Sequence, residues 1–119
     1  MKTLFGLIFI ASMITDQPRK VLLFYNESGE AKWKSQVETL NASQKGIQER
    51  DIEVKSIVYA TENVSEWKKW KIDSTAAFTF LLIGRDGGEK LRSSEIVKAE
   101  KLFGQIDAMP MRRQEMKGN

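Results

Sequence analysis

Two stretches of this chain, "KVLLFYN" at Lys20 to Asn26 and "FTFLLIG" at Phe78 to Gly84, are apolar with almost no alternation. A strand with one face in water alternates apolar and polar side chains, so an unbroken run of this length reads as a strand buried on both faces. A sheet built on such strands needs cover on both sides. The chain is thereby confined to layered α/β architectures, with helices above and below a central sheet.

The segments between the two runs supply that cover. After Ser28, a candidate N-cap, Trp33, Val37, Leu40 and Ile47 fall at steps of four, three and seven, which is one helical face, with Glu30 in the first turn. Gly46 weakens the end of this helix before Arg50. "IEVKSIVY", Ile52 to Tyr59, mixes β-branched residues with Glu53, Lys55 and Ser56, as a strand nearer the sheet edge does. Strand, helix and strand then form a βαβ unit with parallel strands and a right-handed crossover. "TENVSEWKKWKI" predicts a short helix whose Val64, Trp67 and Ile72 cover the opposite sheet face, leaving its lysines in solvent.

Past the second apolar run, "RDGG" contains Asp86-Gly87, a hairpin turn in which glycine accepts a positive φ. "EKLRS" then alternates like an exposed return strand. A closing helix is expected from Ser93 or Ser94, burying Ile96, Ala99, Phe103 and Ile106 and ending at Pro110. The order β-α-β-(α)-β-β-α gives a four-stranded mixed sheet with helices on both faces. It is the order of the minimal thioredoxin fold.

Composition narrows the chemistry. Among 119 residues there is no cysteine and no histidine. Thiol redox chemistry, disulfides, thiolate or imidazole metal sites and Cys-His or Ser-His catalysis are all excluded. Asp86, Glu95 and Asp107 have no spacing suited to a metal cage or a two-carboxylate hydrolase, so neither metal nor cofactor is expected. Lys and Arg number 19 against 16 Asp and Glu, a net charge of +3 that is too weak to argue nucleic acid. Residues 1–16, with Lys2 before an apolar run from Leu4 to Ile14, look like a secretory signal and are short for a transmembrane helix. A single domain over residues 17–119 and an extracytoplasmic location, periplasmic or secreted, are the expectation.

Two segments, "LLIGRDGGEKLRSS" and "IDAMPMRRQEM", resemble the best-marked parts of the domain-of-unknown-function family 4174. That family occurs in small bacterial proteins and in the extracellular coiled-coil-domain-containing 80 and sushi-repeat-containing proteins. The resemblance runs from about Arg19 to Met116 and implies a thioredoxin-like fold, nearest the peroxiredoxins, in an extracytoplasmic setting. It implies little about a reaction. In thioredoxins and peroxiredoxins a reactive cysteine stands at the start of the first helix. Here that junction reads "YNESGEAKW", and "DSTAAF" replaces the cis-proline that normally precedes the third strand.

Several places carry a functional and a plainer reading. Gly87 and Gly88 are followed by a strand pattern, which fits a hairpin turn and not a phosphate-cradling P-loop. Lys90 and Arg92 are expected on one side of the return strand, beside a helix start at Ser93 to Glu95 that would attract anions. Trp67 and Trp70 among lysines suggest a stacking surface or, more simply, sheet cover. Arg112 and Arg113 either meet an acidic partner or, for Arg112, pair with Asp107 or Glu115. The resulting expectation is a non-redox module that binds a protein or polyanionic partner through Arg85, Lys90, Arg92, Ser93, Ser94, Arg112 and Arg113. The alternatives are an enzyme of unfamiliar cysteine-free chemistry and a homo-oligomeric envelope protein pairing through its return strand.

Overall fold

A computed structural model describes residues 17–117. The expected signal segment, residues 1–16, lies outside them. The strands are β1 (Arg19–Tyr25), β2 (Ile52–Val58), β3 (Phe78–Ile83) and β4 (Glu89–Ser93), in the sheet order β2-β1-β3-β4. β1 runs parallel to β2 and antiparallel to β3, which is itself antiparallel to β4. The two apolar runs are therefore the central strands, and β2 is an edge. Every residue of β3 is buried.

Because side chains alternate across a strand, the central pair feeds two cores at once. On one face Val21, Leu23, Phe80 and Leu82 pack with Leu40, Ile47, Leu102 and Ile106. These four come from α1 (Glu30–Asn41), α2 (Gln44–Glu49) and α4 (Ala99–Asp107). On the other face Leu22, Phe24, Leu81 and Ile83 pack with Trp67 and Ile72. Trp67 belongs to α3 (Val64–Lys69) and meets Phe24 edge to face at 5.5 Å. Its indole N–H is buried and has no partner among the described residues. The sheet is covered on both sides, as its apolar strands require.

The helices depart from the expected pattern in three places. The long first helix is two helices, broken at Ala42-Ser43, and it is preceded by a short 3-10 turn, Glu27–Gly29, that Asn26 and not Ser28 caps. The closing helix starts at Ala99. Ser93 ends β4, and its hydroxyl accepts a bond from the Glu95 amide at 3.0 Å, so the chain turns there without entering a helix. Ile96, expected in the core, is exposed, while Leu102 is fully buried. Pro110 does not end a helix but opens one, α5 (Pro110–Lys117), because the first helical position needs no amide donor.

Candidate functional site

The first place to look is the end of β1, where the sheet hands over to α1. The Asn26 amide donates to the Ala77 carbonyl at 3.0 Å, and Asn26 Nδ2 donates to the Ala76 carbonyl at 3.1 Å. Its Oδ1 accepts from the Gly29 amide at 3.2 Å and from the Ser28 hydroxyl at 2.6 Å. Asn26 thus latches the helix entry to the loop before β3. The Ser28 hydroxyl gives its proton to an amide oxygen and has no base beside it. Nothing at this junction can serve as a nucleophile in the way a thiolate would.

The second place is the end of the sheet where the β3–β4 hairpin meets the α4–α5 corner. The hairpin closes as its sequence predicts: the Gly87 amide donates to the Gly84 carbonyl at 3.0 Å, and Gly87 has φ +83°. Asp86 Oδ1 accepts from the Gly88 amide at 2.9 Å, and Oδ2 from Lys90 Nζ at 2.9 Å. These bonds, the Gly88 amide foremost, hold the Asp86 carboxyl below the usual aspartate range. Between hairpin and corner lies a cleft of about 490 Å³. Its polar lining is Arg19, Arg85, Asp86, Lys90 and Gln105, and its apolar lining includes Met109, Pro110 and Met111.

A cluster of four arginines, two of which line the cleft, ties α4 and α5 to the body. Arg19, 1% exposed, donates to Glu115 Oε2 at 2.9 Å and to the Arg50 carbonyl at 2.8 Å. Arg85 reaches the same Glu115 oxygen at 3.0 Å, Asp51 at 2.9 Å and the Gln17 carbonyl at 2.9 Å. Arg50 grips Asp107 through two bonds, at 3.0 and 2.9 Å, and lies over the Phe103 ring. Arg112, 4% exposed, bonds Asp107 at 3.1 Å and Glu49 at 3.1 Å. Of the two readings of Arg112, the geometry supports the internal one, and its burial removes it from any docking surface. Burial pushes Glu115 up, but the Arg19 and Arg85 bonds outweigh it and keep its carboxyl below the usual range. Asp107 is lowered by Arg50 first and by Arg112, against its burial.

The remaining candidates are dispersed. The β3–β4 register shifts between Leu82 and Ile83, so that Leu91 pairs with Leu82 but Glu89 with Ile83. Lys90 is left as a bulge. This extra residue puts Lys90 and Arg92 on opposite faces, not on one side as alternation predicts. Lys90 lines the cleft, whereas Arg92 donates to the Trp70 and Lys71 carbonyls at 2.7 and 3.3 Å and pairs with Glu89 at 2.8 Å. The expected helix start at Ser93 to Glu95 is absent. In its place the Ser94 carbonyl accepts from Lys32, and Gln36, fully buried, exchanges two bonds with the Val97 backbone at 2.7 and 2.9 Å. Arg113 is exposed on α5. Sequence reasoning singled out Arg85 and Lys90 but missed Arg19, Arg50, Gln105 and Gln36. A signal did exist for two of them: Arg19 opens a strand buried on both faces, and Gln36 lies between Trp33 and Leu40 along a helix.

The family model of a domain of unknown function, DUF4174, matches residues 12–115. The chain belongs to this family. Its fold is thioredoxin-like, as solved structures confirm. A 2-Cys peroxiredoxin of Plasmodium vivax superposes with a TM-score of 0.63 at 13% identity, over 92% of this chain and 85% of that one. Thioredoxin-2 of a malaria parasite, described as a component of its protein secretion machinery, gives 0.58 at 20% identity over 77% and 84%. A thioredoxin from Thermus thermophilus gives 0.55 at 15% identity over 92% and 83%. No curated protein matches the chain significantly. This DUF4174 chain therefore keeps the thioredoxin-like frame without the cysteines that frame carries in redox enzymes.

Proposed function

We propose that this DUF4174 protein is a non-catalytic, exported thioredoxin-like module that binds an anionic partner in the cleft between the β3–β4 hairpin and the α4–α5 corner. The observation that carries the reading is the cleft's mixed lining of cations and apolar side chains. Lys90 and Arg85, with Asp86 as the one carboxylate beside them, line it together with Met109 and Met111, so an acidic group beside an apolar one is the chemistry it fits. A protein segment with an acidic side chain next to an aliphatic one meets that description. Lys90 is the cation best able to turn to a ligand. Its present partner, Asp86, is an exposed pair of the kind that contributes little to stability. Arg85 is held by Glu115 and Asp51 and acts as a fixed charge. Export rests on the Lys2 and Leu4–Ile14 pattern and on the resemblance to extracellular members of the family. N-terminal sequencing of the mature protein tests it.

The binding test is a thermal-shift series with phosphate, acidic sugars, heparin and acidic peptides at two salt concentrations. A ligand at a hundred times its dissociation constant adds about 2.7 kcal/mol to stability. Lys90→Ala is expected to weaken binding about tenfold while leaving the unliganded Tm unchanged, and added salt is expected to weaken it further. Binding indifferent to both salt and Lys90→Ala overturns the reading.

A further inference from the structure

The edge strand β2 has a regular flank that no other described residue pairs with as a strand, and its backbone and side chains are complementary to themselves. At its two ends the bonds to β1 are explicit: the Arg19 amide donates to the Asp51 carbonyl at 3.0 Å, and the Tyr59 amide to the Tyr25 carbonyl at 2.8 Å. Backbone groups point alternately to the two sides of a strand, so the odd-numbered residues face β1. Those of Ile52, Val54, Ser56 and Val58 face outward. The Val58 carbonyl is already taken by Asn63 Nδ2 at 3.0 Å, which closes that end. Among the described residues, what remains open runs from Ile52 to Ser56 and is centred on Val54.

We propose that two copies of the chain pair through β2, antiparallel, about a two-fold axis at Val54, so that the sheet continues across the dimer. In this register Val54 pairs with the partner's Val54 and Ile52 with the partner's Ser56, and each such pair exchanges both N–H···O bonds. Between them Glu53 falls directly opposite the partner's Lys55, twice by symmetry. These are non-hydrogen-bonded positions, where facing side chains approach most closely. Glu53, Val54 and Lys55 are all exposed, and neither charged residue is in an ion pair among the described residues.

The same charges reject the neighbouring registers. An axis at Glu53 sets Glu53 against Glu53, and one at Lys55 sets Lys55 against Lys55, each a like-charge contact at the closest separation. An axis at Ile52 sets Glu53 against Asp51. The opposite edge of the sheet is a poorer partner, since the bulge at Lys90 interrupts the β4 ladder. No residue of β2 lines the hairpin cleft, so dimer formation and anion binding are tested by different variants.

Sedimentation velocity of the full chain, with circular dichroism to confirm folding, tests the pairing through two charge reversals. Wild type is expected to form a concentration-dependent dimer. Glu53→Lys and Lys55→Glu, each alone, place like charges opposite each other and are expected to raise the dimer dissociation constant at least tenfold. An equimolar mixture of the two variants restores both opposite-charge pairs and is expected to recover the dimer as a heterodimer. A wild-type monomer at the highest attainable concentration overturns the proposal. So does a dimer that survives both reversals, or a mixture that stays monomeric.

Discussion

Gly29 closes the 3-10 turn at the start of α1, and its buried Cα faces the Ala77 backbone. A Cβ there would land on the Ala77 carbonyl oxygen, an atom of the loop that also accepts from the Asn26 amide. Neither side can yield without breaking the latch between helix entry and β3. Gly29→Ala is expected to destabilise the fold by about 3 kcal/mol, at the upper end of overpacking costs, and to be read as a lowered denaturation midpoint with unchanged m. A cost under 0.5 kcal/mol would show that the junction is plastic. By contrast, Gly87 has open space around it, and its requirement is the positive φ alone. Single residues were legible in the sequence where the demand is conformational, as in Asp86-Gly87. They were hidden where it comes from a distant partner. Arg19 and Glu115 are separated by 96 positions, and no local pattern marks them as a pair.

At the scale of elements, the apolar runs that became β1 and β3 were legible because burial on both faces leaves no polar positions to blur the pattern. The start of α4 was not. The stretch from Ser94 to Lys98 offers a candidate cap followed by Glu95, but Val97 gives its amide and carbonyl to Gln36 of α1, and two tertiary bonds decide the backbone there. The split between α1 and α2 was hidden for a related reason, since the spacing from Leu40 to Ile47 is helical whether or not the helix is continuous. The end of α3 shows a sequence choice that works against its own geometry. Ile72 donates to the Trp67 carbonyl and Lys71 to the Lys68 carbonyl, the paired bonds of a Schellman cap, with Ile72 and Trp67 in one apolar cluster. The capping residue Lys71 has φ +53°, a left-handed conformation that costs a side chain about 1 kcal/mol or more. Lys71→Gly is therefore expected to stabilise the protein by up to about 1 kcal/mol. The measurement is a urea titration, and a destabilisation of similar size would mean that the lysine stem packs on the neighbouring surface.

For the whole molecule, the contrast is between a sheet held by two apolar cores and a C-terminal helix held by charge. In α5 the buried residue is Arg112, while Met111 and Met116 are each more than 40% exposed. Its Glu115 pairs with Arg19 of β1 and Arg85 of the hairpin, and its Arg112 pairs with Asp107 of α4, which Arg50 also holds. Both carboxyls titrate lower in the folded chain than in the unfolded one. The unfolded state therefore binds protons first as pH falls. The stabilisation from these two groups is complete above the ordinary carboxylate range and is lost as pH drops through their folded values. The Tm is expected to stay flat from about pH 8 to 5.5 and to decline below about pH 4.5. Glu115→Gln keeps the side chain's shape but cannot pair as an anion with Arg19, which is nearly inaccessible to solvent. Removing one partner of a buried pair leaves the other charge unmatched, so this variant is expected to start with a lower Tm at neutral pH and to lose less of it on acidification. Parallel Tm profiles for wild type and variant would show that the Glu115 ion pairs do not hold α5 in place.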